Sequence, residues 1–244
     1  MNIVDFCAKQ DGIYGQMRQK EREQTRTIGI EPCQVLVTRR GGFFISLVHS
    51  PEISERVATF SAKVGALVPA VVFGAEEIHT TAGSMVGSLQ QTQFYFDPEL
   101  TEHRDNLRAV ESVAEALAQA MNGQACSIRF EERPIITSQV IVAPGQPSQG
   151  FVDLANTVVA IGERLKVPMV PAWGAHMTVS RFAEKRTPAE LVDLFRLVEN
   201  EPPFGQSRPV GIAVGYSIRH KSEQYVTDLR LTPGHLFPTK FFSL

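Results

Sequence analysis

One short pattern occurs twice in this chain, at matching places in two similar runs of sequence. His79-Thr80-Thr81 and His176-Met177-Thr178 each set a threonine two residues after a histidine, in sequence that reads as β-strand. Side chains alternate faces along a strand, so His79 shares a face with Thr81 and His176 shares one with Thr178. Each pattern is also preceded by the same order of parts. Before the first stand a strand, Phe43 to Val48, and a helix opened by Ser50-Pro51. Its apolar face is Ile53, Val57, Phe60, Val64 and Leu67. Before the second, Ile135 to Val142 reads as strand, and Phe151, Leu154, Val158, Ile161 and Leu165 line a helix. The interval from helix start to histidine is similar in both, which marks a weak internal duplication rather than a solenoid.

The rest of the chain fits that plan. Val71 to Phe73 and Gln93 to Phe96 are short strands, and Asp97-Pro98 opens a helix that ends at Gly123. Ser127 to Phe130 is another strand, and Thr187-Pro188-Ala189-Glu190 is a capping box. Val210 to Ile218 and Tyr225 to Leu231 are closing strands joined by a charged turn, Arg219 to Glu223. Residues 1–40 form an N-terminal arm with no strong period. It is expected to be loop or short helix, and its mixed charge reads as a solvated face. Residues 41–244 are expected to form a single bilobal domain. The class is α+β, two lobes around a central cleft.

Two imidazoles and two hydroxyls facing one cleft suit phosphoester chemistry. A neutral imidazole takes a proton from the attacking oxygen and an imidazolium protonates the leaving one. An ordinary histidine pKa near 6.5 puts both forms within reach. The hydroxyls of Thr81 and Thr178 donate to the non-bridging oxygens, and no metal or other cofactor is needed. In a chain with six histidines chance supplies about 0.4 such triplets, so one copy means little and two carry weight. No other histidine has a threonine at i+2. In a regular strand Arg181 takes the opposite face to His176 and Thr178, which sets it away from a bound anion. Trp173, Phe44 and Tyr216 are candidates to stack a base, Trp173 above the others because it precedes the second motif in loop-like sequence.

Composition narrows the partners. The formal charge of −2 leaves no basic footprint for long duplex nucleic acid, while a short oligonucleotide, an RNA end or a small anion stays possible. The longest apolar stretch, Val64 to Ala75, is too short for a bilayer, and the N-terminus lacks the apolar core of a signal peptide. Cys7, Cys33 and Cys126 form no C-x-x-C, in keeping with reduced thiols in a cytoplasm.

The two motifs resemble those of the 2H phosphoesterase superfamily, which includes RNA 2′,3′-cyclic phosphodiesterases and the 2′-5′ RNA ligases. Ala175-His176-Met177-Thr178-Val179-Ser180-Arg181 matches its H-x-[ST]-x pattern well. Ile78-His79-Thr80-Thr81-Ala82 matches more loosely, because Thr80 and Ala82 stand where larger apolar residues are usual. The resemblance spans residues 42–233. It implies paired antiparallel sheets with outer helices, related by a pseudo-twofold axis around a metal-free cleft. It further implies His79 and His176 as the catalytic pair; His176 is assigned here as base and His79 as acid, roles that can exchange with substrate or reaction direction. Thr81 and Thr178 are then the phosphate ligands. The expected activity is hydrolysis of a cyclic or 2′-linked nucleotide phosphodiester on a small nucleotide or RNA-end substrate. Two alternatives are a non-catalytic nucleotide-binding protein on the same fold and a metal-dependent hydrolase built on His49 or His103.

Overall fold

The computed structural model describes residues 1–33, 42–86, 101–217, 229–230 and 241–243. Its main sheet is antiparallel. β1 (Gly42–Val48) lies between β3 (His79–Met85) and β11 (Gly211–Ser217). β8 (Met169–Pro171) extends it beside β3, and β12 (Leu229–Arg230) and β13 (Phe241–Ser243) pair with β11. The second sheet runs β2 (Ala70–Val72), β9 (His176–Phe182), β6 (Val140–Pro144), β5 (Ile135–Ile136), again antiparallel throughout. A small third sheet joins β10 (Gly205–Ser207), β4 (Ile128–Phe130) and β7 (Gln146–Pro147).

Helices cover these sheets. The N-terminal segment is helical, with α1 (Ile3–Gln16), a π-helical turn at Met17–Glu21 and α2 (Arg22–Thr27). α3 (Pro51–Leu67) has Ser50 as N-cap and Pro51 in its first turn, and buries Ile53, Val57, Phe60 and Val64. Side chains of that kind each contribute about 1.5–3 kcal/mol when taken out of water. α4 (Thr101–Met121) buries Val110, Val113, Leu117 and Met121, and Gly123 follows it at φ +75°. α5 (Gln149–Leu165) and α6 (Val192–Asn200) complete the set. The Thr187–Glu190 capping box forms as expected, opening a 3-10 turn at Pro188–Leu191 ahead of α6. One continuous apolar core joins the two large sheets and the helices.

The repeated interval has a structural meaning. After β1 the chain leaves its sheet, and α3 and β2 pack on β9 of the second sheet before β3 returns to pair with β1. After β6 the chain does the reverse, as α5 and β8 pack on β3 of the first sheet before β9 returns to pair with β6. Each half lends a helix and a strand to the other. This exchange sets β3 and β9 against one another.

Some elements differ from the sequence reading. Ile135 to Val142 is a hairpin rather than one strand. Thr137 turns the chain, its hydroxyl accepting from the amides of Gln139 and Val140. β8 and β10 were not expected, since β8 lies among prolines and β10 is polar and only three residues long. The arm, expected as loop or short helix, is helical and packed on one side: α1 buries Phe6, Gln10 and Tyr14 on one stripe, while the charged run Arg18 to Arg26 is largely exposed. Only two of those three residues are hydrophobic, and Gly12 and Gly15 weaken the helical signal. The strand expected at Gln93 to Phe96, the Asp97-Pro98 helix start, Arg219, His220 and His235 lie outside the described residues, as does most of Tyr225 to Leu231.

Candidate active site

The two histidine strands repeat one another in detail. His79 stands opposite Val48, Thr81 opposite Ser46 and Gly83 opposite Ile45, with Ala82 as the extra residue of a bulge. His176 stands opposite Pro144, Thr178 opposite Val142 and Ser180 opposite Ile141, with Val179 as the extra residue. The bulge follows the threonine in both. Burial runs in the same order along both strands: His79, Thr81 and Ser84 are half-buried in β3, and His176, Thr178 and Arg181 are half-buried in β9. The residues between them are buried.

The bulge overturns one expectation. An extra residue shifts every later side chain to the other face. Arg181 therefore lies on the same face as His176 and Thr178, where strict alternation places it opposite. Its positive charge bears on both imidazoles. Parity counting missed this residue. A polar Ser180 followed by a charged Arg181 breaks the apolar–polar rhythm and is the only trace of the bulge in the sequence. The corresponding position in the first strand is Ser84.

Both rings are held the same way. His79 Nδ1 donates to the Glu77 carbonyl at 2.8 Å, and His176 Nδ1 donates to the Gly174 carbonyl at 3.2 Å. With the proton fixed on Nδ1, the neutral ring keeps its lone pair on Nε2. Each ring stacks on an aromatic residue at an interplanar angle of 28°: His79 on Phe44 with centroids 5.2 Å apart, His176 on Trp173 at 4.1 Å. Trp173 thus lies against the His176 ring. The side chain of Tyr216 is not among those described. Neither the Thr81 nor the Thr178 hydroxyl is engaged by a described residue, which leaves both able to donate to an anion.

The electrostatics depart from the sequence expectation of pKa values near 6.5. Burial, and then the charge of Arg181, pull His79 down to about 4 against the opposing pull of the Glu77 carbonyl. His176 also falls to about 4, through burial first and then the charges of His79 and Arg181. Two bases and a guanidinium in mutual reach disfavour further positive charge, and an anion placed among them reverses that balance.

A third histidine supports the first strand from behind. His49 is 2% exposed. One ring nitrogen meets Ser207 Oγ at 2.7 Å and the other meets Thr80 Oγ1 at 3.0 Å, and Phe130 presses edge-on at 5.5 Å. Burial, and then the charge of His79, push its pKa down to about 3. This contact explains the unusual Thr80: its buried hydroxyl has a partner, where the matching Met177 is apolar. His49 is occupied in this way, and among the described residues no group of three or more His, Cys, Asp or Glu is placed to hold a metal ion. The His103 side chain is not among those described. His220 has Ser222 at i+2, but both lie outside the described residues. No described helix is long and apolar enough to cross a membrane.

Comparison with solved structures gives neighbours of similar fold. A structure described as a phosphoesterase aligns over 84% of this chain and 99% of its own, at 16% identity and a TM-score of 0.48. E. coli LigT complexed with phosphate aligns over 85% of this chain and 100% of its own, at 16% identity and a TM-score of 0.46. LigT complexed with 3′-AMP covers 84% and 99%, at 16% identity and a TM-score of 0.47. No protein-family model matches the sequence, and no curated protein matches it. With TM-scores under 0.5, the site's own residues carry the functional reading.

Proposed function

We propose that the protein is a metal-independent phosphoesterase that hydrolyses a cyclic or 2′-linked nucleotide phosphodiester by two-histidine acid–base catalysis. The observation that carries this reading is the repeated half-site: an Nδ1-anchored imidazole with a threonine on the same face, present twice, with Arg181 bearing on both rings. In this mechanism the phosphate lies between the two strands. Nε2 of His176 takes a proton from water as the water oxygen attacks phosphorus. The bond from phosphorus to the ester oxygen breaks, and protonated His79 supplies the proton that makes the leaving oxygen a hydroxyl. One phosphodiester and one water give a phosphomonoester and an alcohol, which remain one molecule when the substrate is a 2′,3′-cyclic phosphate. Thr81, Thr178 and Arg181 donate to the non-bridging oxygens as charge grows there.

The role assignment has an electrostatic basis. His176 carries the positive influence of both His79 and Arg181, so its neutral, basic form is the favoured one. The bound anion raises the pKa of the partner ring and lets it serve as acid. The test is incubation of purified protein with a nucleoside 2′,3′-cyclic phosphate in excess chelator, followed by chromatography. Ring opening that survives the chelator is expected. Absence of turnover across a panel of cyclic and 2′-5′-linked phosphodiesters favours the binding-protein reading, and turnover abolished by chelator and restored by a divalent ion favours the metallohydrolase.

A further inference from the structure

The N-terminal helix reaches the second half-site. The β6–β9 ladder ends at the pair Pro144 and His176. At the next pair, Gly145 and Ala175, two side chains of α1 take over the backbone groups. Gln10 Nε2 donates to the Gly145 carbonyl at 3.0 Å, and Gln10 Oε1 accepts from the Ala175 amide at 2.7 Å. The Tyr14 hydroxyl donates to the Ala175 carbonyl at 3.2 Å and accepts from the Gly145 amide at 3.4 Å. All four polar groups of that pair are satisfied by α1. A buried, uncharged Gln10, 0% exposed, is costly unless paired in this way. The backbones also approach closely: a Cβ on Gly145 would stand 2.2 Å from the Ala175 carbonyl oxygen, so only glycine fits.

The same helix touches the aromatic partner of His176. The Tyr14 ring meets Trp173 edge-on with centroids 5.8 Å apart, and Trp173 stacks on His176. The Gly174 carbonyl that orients His176 lies between the two held residues. Among the described residues no helix clamps the first half-site in this way; His79 rests on Phe44 of its own sheet.

We propose that Gln10 and Tyr14 are positioning residues for the second half-site, fixing the Trp173–Gly174–Ala175 segment and through it the place of the His176 ring. The catalytic consequence rests on the phosphoesterase reading, whereas the structural one does not. The groups that bear on the His176 ring are the Gly174 carbonyl, His79 from β3 and Arg181 from β9; the Tyr14 hydroxyl of α1, which burial keeps protonated, adds no charge beside them. Arg18 lies over the Tyr14 ring, paired with Glu132.

Trp173 is the chain's single tryptophan, so indole fluorescence reports on its surroundings alone, the His176 and Tyr14 rings among them. A stacked imidazole quenches indole emission more strongly when protonated, and the emission of the wild-type protein against pH traces His176. Gln10→Leu removes both glutamine bonds, Gln10→Glu keeps only the acceptor, and Tyr14→Phe keeps the ring contact but not the hydroxyl. Lys9→Ala, on the exposed side of α1, is the control. The expected result is a titration midpoint moved from about 4 toward the ordinary histidine value in all three variants, and unmoved in the control. Where a cyclic phosphate is turned over, kcat is expected to fall by about 10- to 100-fold with a smaller change in KM. If Gln10→Leu fails to fold, Tyr14→Phe and Gln10→Glu still decide. Folded variants with a wild-type titration midpoint overturn the proposal, even if their melting temperature is lowered. Absence of turnover in the wild type overturns the phosphoesterase reading and leaves the fluorescence result to stand by itself.

Discussion

The two half-sites agree in their strands and differ in what stands behind them. Around His79 and His176 the register, the bulge, the ring anchor and the stacking angle are the same. The support is not. The first strand rests on a buried polar contact, Ser207–His49–Thr80, while the second has apolar Met177 in place of Thr80 and is clamped from outside by Gln10 and Tyr14. The last half-buried position on that face differs too, with Ser84 in one strand where Arg181 stands in the other. Strand geometry is what the proposed chemistry needs twice. Packing behind a strand only has to fix it, and different side chains do that equally well.

The sharpest test of the equivalence is removal of each ring. His79→Ala and His176→Ala are each expected to lower kcat by about 10²–10⁴ on a verified cyclic phosphodiester. The double variant is expected to lose less than the product of the two, because acid and base act as one unit. Wild-type-like turnover in both single variants would sink the mechanism.

Arg181 tests the asymmetry. Arg181→Met is expected to lower kcat/KM by about 10²–10³, the usual loss of one strong donor to a developing anion. It also removes a positive charge that depresses both imidazoles, so both pKa values rise. The acid limb of the kcat/KM profile, governed by the free protein, therefore moves to higher pH. Ser84→Ala is expected to change neither. Equal losses from the two substitutions, or an unmoved acid limb in Arg181→Met, would show that the guanidinium does not face the reaction.

Thr81→Ala and Thr178→Ala bring the comparison to hydroxyls. Each is expected to lower kcat by about 10–10³ without shifting the pH optimum, since threonine does not titrate. The serine variants are expected to recover most of that loss. A large effect at one threonine and none at the other, in steady-state assays at saturating substrate, would show that a single half-site holds the phosphate.

Much of this arrangement was legible in the sequence. Helices α3, α4 and α5 announced themselves through apolar spacing, and the two motifs through period-two strand geometry. What was not legible is non-local. The face of Arg181 depends on a bulge whose one local trace is the polar Ser180 before it, too slight to override strand parity. The low histidine pKa values depend on burial between sheets that no local window encodes. Gln10 read as part of a polar arm because its two partners, Gly145 and Ala175, lie far along the chain. Thr80 looked like a flaw in the first motif because its partner His49 is on the far side of a helix and a strand in sequence.

His49 gives the last and smallest effect, on stability rather than turnover. Its pKa is about 3 in the folded protein and that of an ordinary histidine, near 6.5, in the unfolded chain. The unfolded state therefore binds the proton first as pH falls. The stability that neutral His49 confers is complete above the unfolded value and is lost progressively below it, down to the folded value. One such group contributes a slope of about 1.4 kcal/mol per pH unit within that window. His49→Gln keeps a donor and an acceptor for Ser207 and Thr80 but does not titrate. At pH 7.5 it is expected to cost about 1–3 kcal/mol through imperfect pairing of those hydroxyls. Between pH 6.5 and 5 its urea midpoint should fall less steeply than that of the wild type, by the slope of one proton. Parallel curves for the two proteins would mean that His49 does not stay neutral in the fold, and that the contact behind the first half-site is not the one described.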